Sequence, residues 1–154
     1  MLNTIGYEGV SQTEFVSTLA ETGVTLVVDI RDRAQSRRPG FSKSSLDAAL
    51  AEAGIGYTHL RALGDPKEGR DAARAGNFRL FEFVYKKVLE TEEALACIEI
   101  IIEKMQNANV CLLCYERDYR YCHRKLVSDK IESLVGIKAK HLGVRQFEHV
   151  KAIA

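Results

Sequence analysis

Val110-Cys111-Leu112-Leu113-Cys114 is apolar at every position, and no other stretch limits the fold of this chain so tightly. A strand points successive side chains to opposite faces, so five apolar residues in a row suit a strand covered on both sides. A polar loop with Glu116, Arg117, Asp118 and Arg120 follows, then Cys122-His123-Arg124 and a helical pattern with Val127, Ile131, Leu134 and Val135 on one face. The strand therefore delivers a cysteine and a glutamate to its carboxyl end. The helix start brings back a cysteine, a histidine and an arginine. In open α/β sheets, ligands bind at that end.

The rest of the chain repeats the same alternation. Asn3 to Tyr7 reads as a first strand, and Val24 to Ile30 as a second that is apolar enough for the sheet interior. Ile55 to Leu60 reads as a third, Val110 to Cys114 as a fourth, and Ile137 to Leu142 as a fifth, whose Lys138 and Lys140 suit an edge. Ser11 with Glu14 predicts a capping box, and Val10 with Phe15 a hydrophobic staple. Ser42 is placed as a second cap, with Phe41 and Leu46 as its staple. Leu63 to Gly76 reads as a loop or short helix. Phe78 to Met105 carries helical spacing, as one helix or as two divided at Thr91. Strands alternating with helices predict a single α/β domain over residues 1–154: a three-layer, Rossmann-like fold, its mainly parallel sheet of about five strands covered by helices on both faces.

Composition narrows the function classes. With 22 basic and 21 acidic residues in 154, net charge argues against a dedicated binder of duplex DNA. Charge is polarised locally: Arg31 to Lys43 holds five basic residues and one acid, and Glu90 to Glu103 holds five glutamates and no base. No apolar run approaches the ~18 residues of a membrane span, so no membrane partner is expected. Four cysteines and no signal-like N-terminus predict free thiols and a cytoplasmic protein.

Several longer motifs occur in order: Thr4-Ile5-Gly6-Tyr7-Glu8, Asp29-Ile30-Arg31, Ser36-Arg37-Arg38-Pro39-Gly40-Phe41-Ser42, Leu63-Gly64-Asp65-Pro66, and Leu112-Leu113-Cys114-Tyr115-Glu116 with Cys122-His123-Arg124. On these residues the chain resembles the domain-of-unknown-function family 488 over nearly its whole length. The resemblance implies a compact bacterial or archaeal α/β protein and brings no established reaction.

Cys111 and Cys114 are three apart on a strand, so they face opposite ways and cannot share an ion. Cys114, Cys122 and His123 lack the paired spacings of a structural zinc knuckle, with only distant His59 as a further ligand. No metal and no cofactor is assigned. Cys114 to Arg120 matches the Cys-x5-Arg of rhodanese- and phosphatase-like loops, but the intervening loop has two acids and no glycine for a tight anion cradle.

The stronger signal is convergence at one sheet edge. Tyr7, Arg31, Ser36, Arg37 and Arg124 are expected to bind substrate, and Glu8, Cys114, Glu116 and His123 to supply catalytic groups. The substrate expected is a phosphate-bearing small molecule, a nucleotide, or nucleic acid. A non-catalytic module that stacks single-stranded nucleic acid on Tyr7, Phe41, Tyr115 and Tyr119 remains an alternative, as does a thiol enzyme using Cys114.

Overall fold

The computed structural model describes residues 1–146. Five parallel strands form one sheet: β1 (Leu2–Gly6), β2 (Leu26–Asp29), β3 (Gly56–His59), β4 (Val110–Cys114) and β5 (Lys140–His141), in the order β3-β2-β4-β1-β5. The apolar run 110–114 sits at the centre, fully buried, between β2 and β1. The lysine-bearing strand lies at an edge, as its alternation predicts, though only two of its residues pair. Interior parallel strands buried on both faces, as β1 and β4 are, require helices above and below.

The two faces have separate cores. On one, α1 (Gln12–Glu21) and α2 (Lys43–Glu52) bring Phe15, Leu19, Leu46 and Leu50 against Ile5, Val27, Cys111 and Leu113. On the other, α3 (Lys67–Arg74), α4 (Phe78–Leu89), α5 (Glu92–Met105) and α6 (His123–Val135) bury Ala72, Phe81, Tyr85, Ile98 and Val127 against Val28, Ile30, Leu112 and Cys114. Cys111 and Cys114 therefore do fall on opposite faces.

Local signals account for the helix boundaries. Ser11 and Glu14 form the reciprocal capping box, and Thr91 caps α5 by accepting from the Ala94 amide, which divides the 78–105 segment in two. Ser42 occupies its cap position but makes no cap bond. Its hydroxyl accepts from the Ser36 amide, tying the loop after β2 to the start of α2.

Among the described residues, no helix is long and apolar enough to cross a membrane.

Candidate functional site

A cleft of about 560 Å³ opens beyond the carboxyl ends of the strands, lined by residues that follow β1, β2, β3 and β4. Its construction starts at Gly6, the last residue of β1, where a Cβ would collide with the Glu116 carbonyl. Without one, the loops after β1 and β4 run together. The Glu8 amide donates to the Tyr115 carbonyl at 2.9 Å, and Glu8 Oε1 accepts from the Arg117 amide at 3.0 Å.

The loop after β2 is fixed by an ion pair. Arg31 forks onto Asp29 through Nε and Nη2, at 2.7–3.1 Å, and its Nη1 donates to the Phe41 carbonyl and the Tyr7 hydroxyl. Tyr7 stacks on Phe41 with ring centroids 4.4 Å apart and meets Tyr115 edge-on. Both Tyr7 and Arg31 are buried, yet each lines the cleft wall.

The floor is formed by the start of α6. His123 Nε2 lies 2.7 Å from the Ile30 carbonyl; a carbonyl can only accept, so Nε2 carries the proton and Nδ1 does not. That Nδ1 lies 3.7 Å from Cys122 Sγ. Burial, opposed by the Ile30 bond, holds the His123 imidazole down at about 4. Cys114 and Cys122 are joined as a disulfide, while Cys97 and Cys111 are free thiols, so the expectation of four free thiols holds for only two. Glu116 Oε2 is 3.7 Å from Cys114 Sγ, and burial raises the Glu116 carboxyl above its ordinary value.

Arg124 lies behind this floor with no exposed surface. Nε donates to Thr4 Oγ1, Nη2 to the Arg117 carbonyl, and Nη1 to both Cys114 Sγ (3.0 Å) and the Glu116 carbonyl. The guanidinium that reaches the Cys114 sulfur is thus Arg124. Arg120 instead forks onto Asp118 at 2.8–3.0 Å and is exposed, so the Cys-x5-Arg spacing is not closed into a cradle.

Of the residues expected to form one site, Tyr7, Glu8, Arg31, Cys114, Glu116 and His123 line the cleft. Ser36, Arg37 and Arg124 do not. Ser36 and Arg37 lie farther along the loop after β2, where Ser36 Oγ accepts from the Arg38 amide and Arg37 is exposed. Arg124 is enclosed by Thr4, Cys114 and two backbone carbonyls. His59 also stands apart, its Nε2 engaged with the Arg31 carbonyl at 2.6 Å.

The cleft adds groups that the sequence reading did not assign. Arg70 joins Asp32 (3.2 Å) to the Asp65 carbonyl (2.7 Å), and Arg33 and Arg74 are exposed at the rim. Phe78 and Tyr121 pack as a ring pair, 4.6 Å between centroids. Asp65 is buried, and among the described residues its Oδ1 has no hydrogen-bond partner. Burial, reinforced by the Glu116 and Asp32 charges and opposed by Arg70, pushes its carboxyl up to about 7. The available signal was positional: Leu63-Gly64-Asp65-Pro66 follows a parallel strand and so had to emerge at the same edge as the other loops.

The sequence model described as Domain of unknown function DUF488 matches residues 11–131 of the chain. No curated protein and no solved structure matches it.

Proposed function

The chain belongs to the DUF488 family, a domain of unknown function, and from the cleft itself we propose an enzyme acting on a phosphate-bearing substrate, a nucleotide or nucleic acid. The observation that carries this reading is the division of the cleft: a rim of arginines, a wall of exposed rings, and a floor of acids and sulfurs. Arg33 and Arg74 are exposed cations able to fork onto phosphate. Phe78, Tyr115 and Tyr121 are 36%, 46% and 44% exposed, and they offer faces on which a base could stack. Below them, Asp65 titrates near neutrality, where a proton can be given or taken at low cost. In this reading the anion-binding arginines are Arg33, Arg70 and Arg74. Arg31 holds the cleft wall and Arg124 backs the floor, and Asp65 with Glu116 moves protons.

Calorimetric titration with nucleoside phosphates and short single-stranded oligonucleotides tests the reading. Arg33→Glu with Arg74→Glu should weaken binding at least about tenfold, equivalent to 1.4 kcal/mol, without lowering Tm. Unchanged affinity would overturn it. The exposed rings also favour a second reading, a module that holds single strands without reacting. That module would show a steep salt dependence and no turnover, and Asp65→Asn would leave its function intact.

A further inference from the structure

We propose that Cys114, Cys122 and His123 form a zinc-type metal centre in the cleft floor, with its fourth position turned toward Glu116. The three ligand atoms lie within 4.8 Å of one another and all three residues are buried. A tetrahedral zinc ion, at ~2.3 Å from sulfur and ~2.0 Å from nitrogen, holds such ligands roughly 3.5–3.8 Å apart. Cys122 Sγ and His123 Nδ1 already stand at 3.7 Å.

The surroundings are those of a metal ligand set. His123 donates its Nε2–H to the Ile30 carbonyl, which fixes the ring and presents Nδ1 as a bare lone pair toward the Cys122 sulfur. A histidine on a metal is ordinarily anchored in this way through its other nitrogen. Cys122 is the N-cap residue of α6, at the positive end of the helix, and its sulfur makes no cap bond there. Arg124 donates to Cys114 Sγ at 3.0 Å, as suits a thiolate.

Cys114 ends β4 and Cys122 begins α6, with Cα atoms 7.5 Å apart. Disulfides usually span ~4.4–6.8 Å, whereas an ion between the sulfurs accommodates a wider pair. The metal form is the dithiol state. A thiol reductant delivers two electrons and two protons to the joined sulfurs, and the divalent ion then displaces both thiol protons. Two thiolates, one imidazole and an open position are the donor set of a catalytic rather than a structural zinc site. Cys114 and His123 line the cleft, and Glu116 Oε2 is 3.7 Å from Cys114 Sγ, so the open position faces a carboxylate and the substrate space. The centre does not depend on the substrate being a phosphate.

The test uses the full chain, reduced and handled without oxygen or chelators, and titrated with cobalt(II) and zinc(II). One cobalt per chain is expected, with a thiolate-to-cobalt charge-transfer band and the visible bands of tetrahedral cobalt, both abolished by equimolar zinc. Cys122→Ser should lose most of the charge-transfer intensity, and Cys111→Ser, altered in the opposite core, should keep it. A reduced wild-type chain that shows only the weak spectrum of aqueous cobalt would overturn the proposal, whether or not any variant folds. Equal spectra from wild type and Cys122→Ser would do the same. No nucleotide enters the measurement, so its failure would leave the phosphate reading standing, and the converse also holds.

Discussion

Asp29 and Arg31, two residues apart at the end of β2, close a forked ion pair inside the protein, with the carboxylate fully buried and the guanidinium 6% exposed. The Asp29 carboxylate also accepts from the Arg31 amide at 3.0 Å and the Tyr57 hydroxyl at 2.5 Å. Arg31 Nη1 donates to the Tyr7 hydroxyl and the Phe41 carbonyl. An arginine so fully engaged holds a loop in place and has little left for a substrate.

Removing one partner of such a pair leaves the other buried and uncompensated, at a cost of about 3–5 kcal/mol. Asp29→Asn or Arg31→Met should therefore lower Tm by on the order of 10 °C. Arg37→Ala, at an exposed site outside the cleft, should stay within about 0.5 kcal/mol of wild type. Thermal unfolding of the three variants gives the comparison. Equal, small effects at all three would mean that Arg31 is not structural.

Arg124 is a second arginine whose fork points into the protein. Its donors meet Thr4, Cys114 and two carbonyls of the loop after β4. Arg124→Met would leave those carbonyls without a donor, at about 1–3 kcal/mol for each group left buried. Arg124→Lys keeps a charge but loses the planar fork, so it should recover only part of the loss. Urea unfolding should rank wild type above Arg124→Lys and that above Arg124→Met. Arg74→Ala, at an exposed rim position, should match wild type.

These two arginines mark where the sequence stopped being legible. The interior places of β2 and β4, the edge place of β5 and the opposed faces of Cys111 and Cys114 could all be read from apolar runs and alternation, because those patterns report burial directly. The parallel topology also brought Tyr7, Glu8, Arg31, Cys114, Glu116 and His123 to one cleft. An arginine, however, reads the same whether its fork meets solvent or buried carbonyls. The Thr4 that engages Arg124 is 120 residues away in sequence. Asp65, Arg70 and Arg74 were hidden for another reason. The segment Lys67–Arg74 is short and buries only Gly69 and Ala72, so the stretch 63–76 reads equally as a loop or a short helix and nothing in it marks a cleft wall.

Asp65 makes stability depend on pH. Its folded carboxyl titrates at about 7, against an ordinary value of 3.8, because it is buried, with Glu116 and Asp32 raising it further and Arg70 opposing them. A raised pKa means that the folded state holds the proton more tightly. The stabilisation is complete below about pH 4 and is lost as pH rises through 7. Asp65→Asn, neutral throughout, should gain Tm relative to wild type at pH 8 and converge with it near pH 4. A wild-type advantage that persists at pH 8 would show that the carboxylate is ionised and paired in the folded protein.

Gly6 should be intolerant of any side chain, although its backbone needs no left-handed conformation. A Cβ there would overlap the Glu116 carbonyl and come within 2.8 Å of Arg124 Nη1. The carbonyl is backbone and Arg124 is enclosed, so neither can turn aside as a flexible surface side chain would. Relief would have to come from moving the 115–117 loop away from β1. That would break the bonds from the Glu8 amide to the Tyr115 carbonyl and from the Arg117 amide to Glu8. Overpacking of this kind costs about 1–3 kcal/mol. Displacing Glu116 should also disturb the cleft floor beside Cys114, since its Oε2 sits 3.7 Å from that sulfur. Gly6→Ala should therefore lower the urea midpoint and reduce nucleotide affinity together. Gly9→Ala is the contrast: its φ of 75° strains any side chain, but among the described residues no atom beyond its chain neighbours lies within 4 Å of the new Cβ. It should cost stability without changing affinity. Equal losses of affinity in both variants would mean that the approach of the two loops at Gly6 does not set the cleft.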